Sequence, residues 1–243
     1  MKYLELDKKI KGREYFLNLL KEADTPSQLH IVSFVNPFSY IELLKSPDLI
    51  DGVDSFFTDG ALLRTFHNLF YSSKKVERLS FDFSSIAHDV FDWCQHENKK
   101  VALVGAEASE IIESVHNIKK LYPALNIVYS HDGYVKDEEI FKKVKTNIIN
   151  SEAEVLICGM GTPLQEGFLL SLKNCQSSLQ LGFTCGGFLT QTSIKPDYYH
   201  PLVKKTGLRW LQRMMMHAHV RNRVFTEYPK FVLLYLKKHL SLN

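Results

Sequence analysis

Cysteine is scarce in this chain and unpatterned. Cys94, Cys158, Cys175 and Cys185 stand among 243 residues without a CxxC pair, so neither a disulfide framework nor a thiolate metal site is suggested. Long apolar runs are missing as well: no stretch approaches the roughly 20 apolar residues that a membrane-spanning helix needs. Met1 to Ile10 carries charges of both signs and lacks the apolar centre of a secretion signal. These absences predict a cytoplasmic protein, soluble or peripheral to a membrane. Two nucleotide signatures are also lacking. Gly105-Ala106-Glu107-Ala108-Ser109-Glu110 follows an expected strand but lacks the second and third glycines of the dinucleotide motif, and no glycine-lysine pair stands in frame for a P-loop. Dehydrogenase and ATPase readings lose ground.

What is present suits one sizeable α/β core, with 45% hydrophobic and 23% charged residues. The net charge of +3 is unevenly spread: from Lys195 onward ten Lys or Arg face only Asp197 and Glu227, a net of +8 that leaves −5 for the first 194 residues. A field of that sign suits an anionic membrane surface, a phosphorylated ligand or nucleic acid, and equally a solvated helical face. No recognised nucleic-acid motif accompanies it.

Along the chain, helical and strand patterns alternate. Helices are expected over Ile10 to Ala23, Asn36 to Leu44, Ala61 to Tyr71, Phe83 to Gln95, Ile111 to Leu121, Asp137 to Ile149 and from Pro163 through Leu169. Strands are expected over Leu29 to Val35, Val53 to Phe57, Val101 to Gly105, Ile127 to Ser130, Val155 to Gly159 and Leu179 to Thr184. Ser72 to Ser80 reads as a loop. Such alternation predicts an α/β, Rossmann-like, mostly parallel sheet with helices on both faces. Residues 1–194 form this domain and residues 195–243 a basic helical C-terminal appendage.

Ligands of such sheets gather at the carboxyl ends of the strands. Those ends carry Asn36, then Thr58-Asp59-Gly60, Gly105, His131-Asp132-Gly133-Tyr134, Gly159 to Gln165, and Gly186-Gly187. A carboxylate on that rim can act as a general base, although each Asp-Gly also fits a plain turn. The stretch Val155 to Glu166 reads as a buried strand, a glycine turn and a helix, with Pro163 at the first helical position and Thr162 as N-cap. Free N–H groups at that helix start could hold a diphosphate; Thr162-x-x-Gln165 fits an ordinary capping box just as well.

Taken together, Thr58-Asp59-Gly60, Ala102 to Ala106, Tyr122-Pro123, Asp132-Gly133-Tyr134, Gly159-Met160-Gly161-Thr162-Pro163-Leu164-Gln165-Glu166 and Leu208-Arg209-Trp210-Leu211-x-Arg213 resemble, in order, the WecG/TagA/CpsF glycosyltransferases. The resemblance covers about Ile31 to Phe225. It implies inverting transfer of an N-acetylhexosamine, N-acetylmannosamine or its uronic acid first, from a UDP sugar to a sugar on a polyprenyl diphosphate in cell-surface polysaccharide synthesis. It implies no metal and no cofactor, and a site at the inner leaflet of the cytoplasmic membrane; self-association stays open. By position, Asp59 matches the proposed catalytic base. Arg78, with Asp82 after it, matches an arginine near the site, Gln165 a residue beside the donor, and Arg213 and Arg223 appendage arginines suited to the diphosphate. The remaining expected substrate contacts are Asn36, Thr58, Gly60, Gly105, Asp132, Gly133, Tyr134, Gly159, Gly161, Thr162, Glu166, Gly186 and Gly187.

Departures from the pattern cluster in the acceptor and appendage regions. Phe34 replaces a threonine whose contact Ser33 would have to supply. Leu189-Thr190 stands where an aspartate is usual, Pro196 to Tyr199 replaces Arg-Ala-Pro, and Arg209 replaces a glutamate. Leu208, Trp210, Leu211, Met214, Met215 and Phe231 to Leu236, interleaved with Lys204, Lys205, Arg209, Arg213, Lys237 and Lys238, suit a helix lying among lipid headgroups, or a stripe packed on the sheet. A second functional class, a noncatalytic module that binds a nucleotide sugar or lipid-linked sugar on the same fold, stays open at this point.

Overall fold

A computed structural model describes residues 2–23, 28–71, 75–195 and 218–240, together with Val203, Met214 and Met215. Among them, six strands form one parallel sheet: β1 (His30–Val35), β2 (Ser55–Thr58), β3 (Lys100–Gly105), β4 (Asn126–His131), β5 (Val155–Gly159) and β6 (Leu181–Thr184), in the order β2-β1-β6-β5-β3-β4. Register follows the apolar runs, with Leu156 beside Gly182 and Ala102, and Val32 beside Ser55 and Phe183. Strand residues alternate between two cores. Ile31, Val35, Leu156 and Cys158 join one, and Val32, Phe34, Val155 and Ile157 join the other.

The first core is covered by α1 (Lys2–Lys8), α3 (Pro37–Leu44), α4 (Pro47–Gly52), α5 (Ala61–Phe70), α8 (Glu138–Asn150), α9 (Leu164–Lys173) and α11 (Ala218–Leu240). The second lies under α2 (Arg13–Glu22), α6 (Ala87–His96), α7 (Ala108–Leu121) and α10 (Phe188–Ile194). Helices on both faces of a parallel sheet are the Rossmann-like arrangement that the alternation predicts.

Several boundaries differ from expectation. The helix expected over Ile10 to Ala23 begins only at Arg13, because the chain before it runs extended beside β2: Phe56 N–H donates to Lys9 O, Lys11 N–H to Phe56 O, and Ile10 bridges Phe56. The helix expected from Phe83 begins at Ala87, since Asp82 accepts from Ser84 N–H and holds the preceding residues in turns. Helices α1, α4 and α10, all short, lie outside the expectation. Thr25-Pro26-Ser27 and Ser72 to Lys74 lie outside the described residues.

Chain direction creates a crevice. After β1 the chain turns to α3 on one face, and after β6 it turns to α10, which packs on α7 on the other. Neighbouring strands whose connections depart to opposite faces leave a gap at their carboxyl ends, where α/β sheets bind ligands.

Candidate active site

Asn36 closes β1 and opens α3. Its Oδ1 accepts from Phe38 N–H at 3.0 Å and Ser39 N–H at 3.1 Å, which satisfies two donors that a helix start leaves unpaired. On the neighbouring strand end, Asp59 N–H donates to Val35 O, and its carboxylate accepts from Arg78 Nη2 at 3.2 Å. The same Nη2 reaches Asp82 Oδ2 at 2.9 Å. Asp82 is buried. Its Oδ2 also accepts from Ser80 Oγ at 2.5 Å, and its Oδ1 from the Ser84 hydroxyl. Burial by itself opposes the charged form, but Arg78, Ser80 and Ser84 outweigh it and hold the Asp82 carboxyl below the usual carboxylate range.

Across the crevice, β5 ends in Gly159. A side chain there would meet Gly186 O at 2.7 Å and Cys185 Sγ at 2.8 Å, so the two glycine loops can pass each other only because this residue has none. The Thr162–Pro163 bond is cis and α9 begins at Leu164, with Pro163 in the capping position. The expectation of Pro163 inside the helix and Thr162 as N-cap is thereby corrected: Thr162 uses its hydroxyl on Glu166 Oε1, at 3.0 Å, instead of on the helix N–H groups. Gln165 donates through Nε2 to Thr162 Oγ1 at 3.3 Å, and its Oε1 accepts from Gly186 N–H at 3.1 Å.

A cavity of about 290 Å³ fills the crevice. Of the expected residues, Asn36, Asp59, Arg78, Asp82, Gly159, Gly161, Thr162, Gln165, Gly186 and Gly187 line it. Phe34, Ser80, Thr184, Phe188, Thr190 and Gln191 line it too, and the strand-end rule singled out none of them. The resemblance marks Phe34 and Thr190 as departures; for the other four only the neighbours Asp82 and Gly187 hint at their place.

Other expected residues lie elsewhere. Thr58 is buried and donates to Glu77 O at 2.9 Å, while Gly60 caps α5. Gly105 is squeezed between strands, since a Cβ would sit 2.6 Å from Gly159 O. Asp132 accepts from Tyr134 N–H at 2.8 Å and Gly133 N–H donates to Ala106 O, which is the turn reading of that Asp-Gly. Glu166 is fully buried beneath the cavity. Ser33 is buried and bonded to Glu166, so it does not supply the contact that Phe34 displaces. Leu189 enters the core, whereas Thr190 borders the cavity and donates to Glu110 Oε2 at 2.9 Å. Arg213 lies outside the described residues; Arg223 falls within α11, its side chain outside the description.

Among the described residues no three His, Cys, Asp or Glu side chains converge as a metal site requires. A larger cavity, about 610 Å³, opens at the opposite rim near Lys100, Glu154 and Lys173. Its charges neutralise each other or nearby groups, Lys100 with Glu152 at 2.5 Å and Lys173 with Asp54 at 2.6 Å, and it holds none of the expected residues.

The apolar stripe of the C-terminal helix is divided. Phe231 and Tyr235 are buried against Tyr40, Phe66 and Phe70, so these two pack on the domain and do not supply lipid-facing surface. Phe225, Leu233 and Leu240 stay exposed. No helix among the described residues is long and apolar enough to cross a membrane.

Comparison with known proteins gives the same assignment. A UDP-Gal:alpha-D-GlcNAc-diphosphoundecaprenol beta-1,4-galactosyltransferase of Shigella boydii is 40% identical over 210 residues, covering 86% of this chain and 87% of that protein. N-acetylglucosaminyldiphosphoundecaprenol N-acetyl-beta-D-mannosaminyltransferases of Bacillus spizizenii and Bacillus subtilis are 25% and 22% identical, over 61% and 86% of this chain and 56% and 79% of theirs. The sequence model of the glycosyl transferase WecG/TagA/CpsF family matches residues 6–243. The chain is a glycosyltransferase and belongs to the WecG/TagA/CpsF family.

Proposed function

We propose that the protein transfers a hexose from a UDP sugar, with inversion, to the sugar of a polyprenyl-diphosphate-linked acceptor. The observation that carries this reading is the shared cavity: Asp59 stands on one wall and the Gly159 to Gln165 loop on another. Asp59 takes the proton of the acceptor hydroxyl as that oxygen attacks the anomeric carbon, and the bond to the diphosphate breaks on the opposite face. UDP-galactose carries its sugar in the α configuration, so the β product in the name of the Shigella relative fits a single displacement. Arg78, held beside Asp59, supplies positive charge near the reacting centre.

The donor reading shifts with the comparisons. N-acetylmannosamine was the first expectation and remains the second reading, favoured by the two Bacillus relatives. The 40% identity to a galactosyltransferase favours UDP-galactose. The acceptor brings the enzyme to a membrane, where the +8 C-terminal end and the exposed Phe225, Leu233 and Leu240 suit an anionic surface.

Incubation with UDP-galactose, UDP-N-acetylmannosamine and a short-chain lipid-linked N-acetylglucosamine, followed by product mass analysis, tests the substrates. Asp59→Asn should lower turnover by about 10²–10⁴-fold while donor binding stays near that of the unmodified protein. Unchanged turnover removes Asp59 from the mechanism.

A further inference from the structure

Glu166 is fully buried below the cavity floor, and donors crowd one of its oxygens. Oε1 accepts from Ser33 Oγ at 2.9 Å, Thr162 Oγ1 at 3.0 Å and Gln165 Nε2 at 3.2 Å, while Oε2 is buried without a hydrogen-bond partner among the described residues. The chain of donors runs further. Ser33 Oγ accepts from Thr184 Oγ1 at 3.3 Å, and Thr184 Oγ1 accepts from Phe34 N–H at 3.2 Å. Every hydroxyl hydrogen in this series points toward Glu166. Burial pushes the Glu166 carboxyl pKa up, and the bonds from Ser33, its own backbone N–H, Gln165 and Thr162 offset only part of that.

A hydroxyl has one hydrogen and two lone pairs. Thr162, which lines the cavity, spends its hydrogen on Glu166 and one lone pair on Gln165 Nε2. One lone pair is left for the cavity, so Thr162 can accept there and cannot donate. Phosphate oxygens at working pH are acceptors and gain nothing from such a group; sugar hydroxyls are donors and do. We propose that Glu166 is a positioning residue that fixes Thr162 as an acceptor, so that this part of the floor receives a hydroxyl of the donor sugar and not the diphosphate. The proposal rests on the UDP-sugar reading above and deepens it.

Binding without acceptor tests it. Dissociation constants are measured by calorimetry for UDP, UDP-galactose, UDP-N-acetylmannosamine and monodeoxy analogues of both, with the unmodified protein, Thr162→Val, Glu166→Met and Glu166→Gln. At least one monodeoxy sugar should bind the unmodified protein about tenfold more weakly than its parent, the worth of one hydrogen bond. Thr162→Val and Glu166→Met should lose that discrimination. Glu166→Gln should retain it, because three converging donors turn its amide oxygen toward them. UDP should bind all four proteins alike.

Equal behaviour of Glu166→Met and Glu166→Gln overturns the proposal. So does a fall in UDP affinity that matches the fall for the sugar nucleotides, which would assign Thr162 to the diphosphate. Absence of any discriminating deoxy sugar, or binding of UDP but of no sugar nucleotide, overturns it as well. Where Glu166→Met does not fold, Thr162→Val decides, since it leaves Glu166 in place. Asp59 takes no part in binding without acceptor, so a wrong base leaves these constants unmoved and shows only in the turnover of Asp59→Asn.

Discussion

Arg78 is shared by two carboxylates, and the sharing makes Asp82 as consequential as Asp59. Removing Asp82 leaves Arg78 to Asp59 alone and takes the acceptor from the Ser80 hydroxyl and from the Ser84 hydroxyl and N–H. Asp82→Ala should therefore cost about 1–3 kcal/mol of stability at neutral pH and reduce turnover, because Arg78 would settle on Asp59. The sign of the pH dependence follows from the depressed carboxyl pKa. The stabilisation is present above the ordinary carboxylate value and is lost as pH falls through the lower, folded-state value. Urea midpoints taken from neutral pH down into the carboxylate range should show a steeper acid loss for the unmodified protein than for Asp82→Ala. Individual site residues were legible in the sequence where a strand end met an unusual pair, as at Asp59 and Gln165. Thr184 and Ser80 were not: Thr184 reaches Ser33, far away in sequence, across the crevice, and Ser80 matters only through its bond to Asp82, in a stretch that reads as a plain polar loop. Glu166 was read as a substrate contact because a motif names positions and not depths.

Helix α11 shows how an element's two sides can answer different needs. Its inner side inserts Phe231 and Tyr235 among Tyr40, Phe66 and Phe70, and ends with His239 donating through Nε2 to buried Asp7 Oδ2 at 3.0 Å and through Nδ1 to Tyr235 O at 2.9 Å. Phe231→Ala should cost about 3–5 kcal/mol, measured by urea unfolding. Burial opposes the imidazolium, but the bonds to Asp7 and to the Tyr235 carbonyl prevail, so the His239 pKa is raised. Tyr71 and Lys238 also face it, and Lys238 opposes the charge. A raised histidine stabilises fully below its ordinary value and loses that contribution as pH rises through the folded-state value. The difference in thermal midpoint between the unmodified protein and His239→Gln should accordingly shrink as pH is raised. The sequence made this helix and its charge legible, together with most of the alternating elements. It gave no sign of which apolar residues face inward, since Phe231 and Leu233 read alike until Tyr40 supplies a partner for one of them.

At the scale of the molecule, the proposed docking on a membrane rests on the split of charge between the first 194 residues and the rest. Replacing Lys204, Lys205, Arg209 and Arg213 by Glu should weaken sedimentation with anionic vesicles by on the order of a hundredfold or more, and added salt should weaken the unmodified protein's binding in the same direction. Equal sedimentation of both proteins would remove surface docking from the proposed function. Vesicle sedimentation of a form truncated at Lys195 is a poorer measure, because it also uncovers Tyr40 and Phe66. The fold class was legible because βα alternation leaves few arrangements; the strand order was not, since it depends on which edges meet.

That order has a consequence during synthesis. The last strand among the described residues, β6, occupies the middle of the sheet, between β1 and β5. A nascent chain that has not yet delivered Leu181 to Thr184 from the ribosome holds a β2-β1 pair and a β5-β3-β4 trio, each with a raw, apolar edge. Such edges invite pairing with other chains, so the interval before that short segment emerges is when the polypeptide most needs a chaperone's shelter.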